Sequence, residues 1–177
     1  MYDKCRPNKS AVLFVYFDYQ DRFNQTAIQV LRILLRQIIA QLDAIPSSII
    51  DLYEECTSRD TPLDLSNVLE QFTSCCRHFD SVYVLFDAFD ECDDNQQEQI
   101  RSLIEELLLQ PSLRVMLTSR PYLRALQKLS ETALVIPISA QEPDVREFLV
   151  SRLDGALLPQ AFKNEIVDTV AQGAEGM

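Results

Sequence analysis

Four short runs of apolar sequence, residues 11–17, 82–86, 113–118 and 133–138, punctuate this 177-residue chain, and helical periodicity fills the stretches between them. Each run is short, largely apolar and rich in Val, Leu, Ile or aromatic residues, as expected of a strand buried on both faces of a sheet. Strands separated by helices lead to a parallel α/β sheet with crossover connections. In such sheets ligands gather at the carboxyl ends of the strands. Those ends are Asp18, Asp87, Ser119-Arg120 and Ser139.

The helical stretches can be read from their stripes. Ile28, Leu31, Leu35, Ile38, Ile39 and Leu42 share one face, with Arg32, Arg36 and Gln41 elsewhere on the surface. A second helix is expected from about Pro46 to Cys56. A third opens at Pro62 and Asp64, with Leu65, Val68, Leu69, Phe72, Cys75, Cys76 and Phe79 inward. Ile100, Leu103, Ile104, Leu107 and Leu108 form a fourth stripe, started by Asp94 with Gln97 three residues on and halted by Pro111. A short helix follows Pro121. Val145, Phe148, Leu149 and Leu153, then Phe162, Ile166, Val167 and Val170, complete the set.

Composition narrows the function. A net charge of −11 and the lack of a basic stripe argue against nucleic acid or an anionic membrane as partner. The longest apolar run, residues 11–17, is far too short to span a bilayer, and no small-residue cleavage site follows it. Five cysteines, including the adjacent Cys75 and Cys76, show neither a secreted framework nor a C-x-x-C spacing, and one histidine makes a zinc site a poor fit. Reduced thiols in the cytoplasm are the expectation.

The second strand-like run delivers Asp87 at its end, and Asp90, Glu91, Asp93 and Asp94 follow at once. Such crowding needs a cation or a helix start to compensate it. Asp93 and Asp94 read as helix caps. Asp87, behind unbroken apolar sequence, reads as a metal ligand, and Asp90 or Glu91 as the acid that orients an attacking water. This is the layout of a Walker B site. The third run ends in Thr118-Ser119-Arg120-Pro121, two hydroxyls and a guanidinium able to meet a nucleotide phosphate. Arg120 has an equal alternative as a surface partner of the neighbouring acids. Cys92, beside those acids, is expected to hold a raised pKa and not to act as a nucleophile.

These residues resemble a known family. Val82-Tyr83-Val84-Leu85-Phe86-Asp87-Ala88-Phe89-Asp90-Glu91-Cys92 is similar to the extended Walker B segment of NACHT-type STAND P-loop NTPases, nearest to the fungal, nephrocystin-3-like N-terminal group. Thr118-Ser119-Arg120-Pro121 resembles that family's sensor 1 strand end. Phe14-Val15-Tyr16-Phe17-Asp18-Tyr19, Leu34-Leu35-Arg36-Gln37-Ile38 and Asp144-Val145-Arg146-Glu147-Phe148-Leu149 are further likenesses, so the resemblance runs along nearly the whole chain. It implies an ASCE-type parallel sheet flanked by helices and a cytoplasmic, nucleotide-dependent oligomerising switch of the innate-immunity or heterokaryon-incompatibility kind. Asp87 would hold Mg²⁺, Asp90 or Glu91 would position water, and Arg120, with Thr118 and Ser119, would meet the phosphates of ATP or GTP.

One departure qualifies the resemblance. The sequence holds no G-x-x-x-x-G-K-[ST], and its three glycines are Gly155, Gly173 and Gly176. In the family a first strand, the phosphate loop and most of its helix precede the strand matched by residues 11–17, whereas Met1 to Lys9 resembles only the tail of that helix. That first strand lies between the sensor 1 strand and the last strand, so without it residues 113–118 and 133–138 would lack their shared partner. The expected organisation is a partial nucleotide-binding domain over residues 1–140 and the start of a helical region over 141–177, truncated at both ends. A truncated chain would be inactive alone and bind neither Mg²⁺ nor nucleotide. Two other functions are open: a catalytically dead module that pairs with intact relatives, and a receiver-like phosphoacceptor using Asp87 with Thr118. The receiver reading is the weaker, because Ile136-Pro137-Ile138-Ser139-Ala140 offers no Lys.

Overall fold

A computed structural model describes residues 9–21, 24–59, 63–121, 123–131, 133–139 and 141–173. The expected start of the third helix at Pro62, the stretch before Lys9 and the segment beyond Gly173 fall outside them. The chain divides into two compact units, Met1–Ala133 and Leu134–Met177.

The first unit is α/β. It runs β1 (Ser10–Tyr16), α1 (Ala27–Ile39), α2 (Ser47–Arg59), α3 (Leu65–Cys76), β2 (Ser81–Asp87), α4 (Asp94–Leu107), β3 (Leu113–Leu117) and α5 (Arg124–Ser130). The three strands form one parallel sheet in the order β1-β2-β3. Helix starts follow from side-chain caps, which satisfy amides the first turn leaves unpaired. Thr26 caps α1, Asp64 accepts from the Asn67 amide at α3, and Asp93 accepts from the Asn95 amide at α4. Of the two acids read as caps, Asp93 is the one that caps α4, and Asp94, read as the start of the stripe with Gln97 three residues on, lies in its first turn. Gln97 is buried instead of closing a capping box, and its Nε2 donates to the Cys92 carbonyl at 2.9 Å.

The sheet is covered on one face. Ala11, Leu13, Val15, Val82, Val84, Phe86 and Leu113 are buried against Val30, Leu31, Leu34 and Ile38 of α1, Val68, Phe72 and Cys75 of α3, and Ile100, Ile104 and Leu107 of α4. Removing these side chains from water supplies the main driving force of the unit. The opposite face carries Val12, Phe14, Tyr16, Tyr83, Leu85 and Met116, between 37% and 67% exposed. Strands expected to be buried on both faces thus alternate buried and exposed residues, because a strand's side chains point alternately to either side and helices of this unit bury only one.

The fourth expected strand does not form. Residues 134–138 have no strand assignment, and Leu134, Val135, Ile136 and Ile138 are 63–87% exposed. An apolar run becomes a strand only through a hydrogen-bonded neighbour, and among the described residues none pairs with it.

The two sheet edges differ. On β1 the Gln37 side chain accepts from the Phe14 amide at 2.9 Å and donates to the Phe14 carbonyl at 2.8 Å. Gln41 does the same to Val12, at 3.2 and 3.0 Å. Two primary amides thus take the place of a neighbouring strand. On β3, Thr118 N–H donates to Phe86 in β2, so by strand alternation the backbone groups of Val115 and Leu117 face outward. No described residue bonds to them.

The second unit contains α6 (Glu142–Leu153) and α7 (Gln160–Gly173). Arg146 ties them, its Nε to Glu142 at 2.7 Å and its Nη1 to Asp168 at 2.6 Å. Of the expected stripes only Val167 becomes buried, joined by Ala171, while Phe148 and Phe162 are 60% and 49% exposed. No helix among the described residues is long and apolar enough to cross a membrane.

Candidate functional site

The strand ends of β1, β2 and β3 meet around Asp87. Parallel register places Asp87 opposite Tyr16 on one side, and its carbonyl accepts from the Phe17 amide at 3.0 Å. Strand alternation puts its side chain on the open face with Tyr83 and Leu85. There, with Tyr16, Leu85, Phe86, Met116 and Thr118, it lines a cavity of about 250 Å³.

After Asp87 the chain turns sharply. Ala88 has φ 56° and ψ 45°, the left-handed region that costs an L-residue about 1–2 kcal/mol. A short 3-10 turn, Phe89–Glu91, follows. Phe89 is fully buried, its ring 5.3 Å from Phe17 in an edge-on arrangement. This aromatic anchor pins the turn to the core.

The three candidate acids diverge, each tied to a different neighbour. Asp87 Oδ1 accepts from the Thr118 hydroxyl at 2.5 Å. Asp90, its side chain 16% exposed, accepts from the Arg120 amide through Oδ1 and pairs with Arg120 Nε through Oδ2, each at 3.1 Å. Glu91 Oε2 accepts from the Tyr19 amide at 3.1 Å. The acidic loop therefore laces the end of β2 to the ends of both flanking strands. Arg120, 82% exposed at its side chain, is the surface partner of an acid in this state. Ser119 Oγ donates to the Arg120 carbonyl at 3.0 Å. Asp93 is spent on capping α4.

Among the described residues no three His, Cys, Asp or Glu side chains converge to hold a metal. The chemistry of Mg²⁺ does not require that: it keeps several waters and uses one or two carboxylates plus substrate phosphates. Asp87 suits that role, since its Oδ2 has no protein partner among the described residues. The Cys92 thiol is buried behind the loop and pushed up to about 11, by burial first and by Asp93 second. The sequence anticipated the direction but credited the acids, whereas desolvation is the larger cause. At neutral pH the shift keeps Cys92 in its thiol form, the less nucleophilic one.

The residues that sequence reasoning missed are Ala88 and Tyr19. Ala88 sits in a conformation usually left to Gly, and no residue-type signal marks it. Tyr19 enters through its backbone amide, which a side-chain motif cannot reveal.

Residues 1–120 match the nephrocystin 3 N-terminal family. The chain belongs to that family. The nephrocystin 3 N-terminal match takes in β1, β2, β3 and every strand-end residue just described, up to Arg120. No curated protein matches the chain closely enough to count as a relative.

Proposed function

We propose that this nephrocystin 3 N-terminal chain carries the metal and terminal-phosphate side of a magnesium–nucleotide site of the NACHT-type P-loop NTPase kind, and that the parent activity is a nucleotide-dependent oligomerising switch. The observation that carries the reading is Asp87, which ends the central strand of the sheet with one carboxylate oxygen uncommitted at a cavity. Asp87 would hold Mg²⁺. Asp90 or Glu91 would orient water once loosened from its present partner, and Arg120, with Ser119 beside it, would meet a γ-phosphate. When bound, the ion would neutralise charge developing on the transferred phosphoryl group.

Cavity size fits half a site. At about 250 Å³ the cavity lies below the roughly 300–1,000 Å³ of pockets that enclose a whole drug-sized ligand, and suits an ion with part of a phosphate. The sequence holds no phosphate loop with its cradle of amides and its Lys. Weak metal binding without tight nucleotide binding is the expected behaviour of this chain. The test is a titration of the full chain with Mn²⁺, then Mg²⁺–ATP and Mg²⁺–GTP. Mn²⁺ is expected to broaden the Met116 methyl resonance selectively, and Asp87→Asn to abolish that effect, while neither nucleotide gives saturable binding below millimolar concentration. Tight magnesium-dependent nucleotide binding would overturn the half-site reading.

A second reading is favoured by the apolar face of the sheet, with Val12, Phe14, Tyr16 and Met116 all at least 46% exposed. On it the chain is a catalytically dead module that joins intact relatives. Co-purification with a full-length relative supports it, and a strictly monomeric, well-folded product counts against it.

A further inference from the structure

We infer that Thr118 is the positioning residue of Asp87 and not itself a phosphate ligand, an assignment that rests on the reading of Asp87 as the metal-holding group. Four hydrogen bonds carry it, and they touch four consecutive residues. Thr118 N–H donates to the Phe86 carbonyl at 2.9 Å, and the Thr118 carbonyl accepts from the Phe89 amide at 3.0 Å. Its hydroxyl oxygen accepts from the Ala88 amide at 3.0 Å and donates to Asp87 Oδ1.

Donor arithmetic fixes the direction of each bond. A hydroxyl has one proton and two lone pairs. The Ala88 amide can only donate, so it takes a lone pair of Oγ1, and the single hydroxyl proton is left for the carboxylate. Thr118 therefore has no second proton to offer a phosphate while it holds Asp87. One carboxylate oxygen is thereby pinned, and the other is the donor left for an ion. The same side chain clamps the left-handed turn at Ala88, which would otherwise be free to relax and carry Asp87 with it. Outer partners that orient a metal-binding side chain act in this way.

The test compares the full-length chain with Thr118→Val, Thr118→Ser and Asp87→Asn. Mn²⁺ affinity is read from broadening of the Met116 methyl, which lines the same cavity. Thr118→Val is expected to weaken Mn²⁺ binding by about tenfold or more, while Thr118→Ser, which keeps the hydroxyl, stays within about twofold. If Thr118→Val binds Mn²⁺ as the parent chain does while Asp87→Asn does not, the positioning role is overturned and the metal reading stands. If Asp87→Asn also binds normally, the metal reading falls, and the Asp87 carboxyl carbon resonance decides the positioning role: no displacement in Thr118→Val would sink it. Should Thr118→Val fail to fold, the unsubstituted chain still decides. Its Thr118 hydroxyl proton should exchange slowly enough to show a cross-relaxation signal to the Ala88 amide, and a fast-exchanging hydroxyl overturns the proposal.

Discussion

Ala88 holds a backbone conformation that its own side chain disfavours, one step past the carboxylate at the centre of the site. It persists because its neighbours over-determine it: Thr118 grips the turn on one side and the buried Phe89 ring anchors it on the other. Ala88→Gly removes the clash of Cβ with the backbone but adds chain entropy to the unfolded state. The net expectation is a gain of about 0.5–1 kcal/mol, seen as a rise of roughly 1–4 °C in thermal midpoint. Ala88→Val should move the midpoint down by more than that, because a β-branched residue tolerates positive φ least. Calorimetry on the three proteins checks both directions. At this scale much of the site was legible in sequence. A carboxylate behind an apolar run is a strong signal, and Asp87 stands where that signal put it. The pairing of Asp90 with Arg120 was one of two open alternatives, since a separation of thirty positions hides which loops will touch. The strain at Ala88 was invisible, because an alanine carries no mark of its backbone angles.

Among the elements, the strands of the sheet and the helices around it follow from pattern, yet their limits do not. Residues 133–138 are as apolar as the runs that became β1, β2 and β3, and they still form no strand. A strand is a relation between two segments, and sequence reports only one of them. Burial of the sheet on a single face was hidden for a similar reason: continuous apolar sequence hides the alternation that a half-exposed sheet imposes. Gln37 and Gln41 show the reverse case, polar side chains on a helix and its exit that serve as the missing neighbour of β1. Replacing both by Ala should cost about 1–2 kcal/mol, given the modest net worth of partly exposed hydrogen bonds. It should also leave the outer backbone of β1 unpaired and prone to pair with other chains. Chemical denaturation measures the first effect, and thioflavin fluorescence with light scattering measures the second. A double variant that stays as stable and as dispersed as the parent would show that the two amides do not guard the edge.

For the molecule as a whole, buried thiols set an alkaline limit. Burial, then the adjacent Cys75, pushes Cys76 up to about 12, and Cys92 is pushed up to about 11, both from an ordinary 9.0. The folded chain thus holds these protons more tightly than the unfolded chain. The stability this confers is complete below the ordinary value and is lost as pH rises through 11 and 12. Urea midpoints should hold steady from neutrality to about pH 8 and fall steeply by about pH 11, with the fall reduced in a Cys76→Ala, Cys92→Ala protein. An equal alkaline fall in that double variant would place the cause elsewhere, for instance in the mutual repulsion of a chain already at −11.

The unequal edges of the sheet also bias its self-association toward one side. A building block that is reactive at both ends grows without limit, whereas one reactive at a single end stops after one step. Gln37 and Gln41 guard Phe14 and Val12 at the middle of β1, leaving outward groups only at its ends, Ser10 and Tyr16. Val115 and Leu117 meet no described residue along β3, so among the described residues the sheet approaches the monofunctional case of polymer chemistry. Contact through strand edges is therefore favoured across β3, and a pair joined there offers the Gln-guarded β1 edge on both sides.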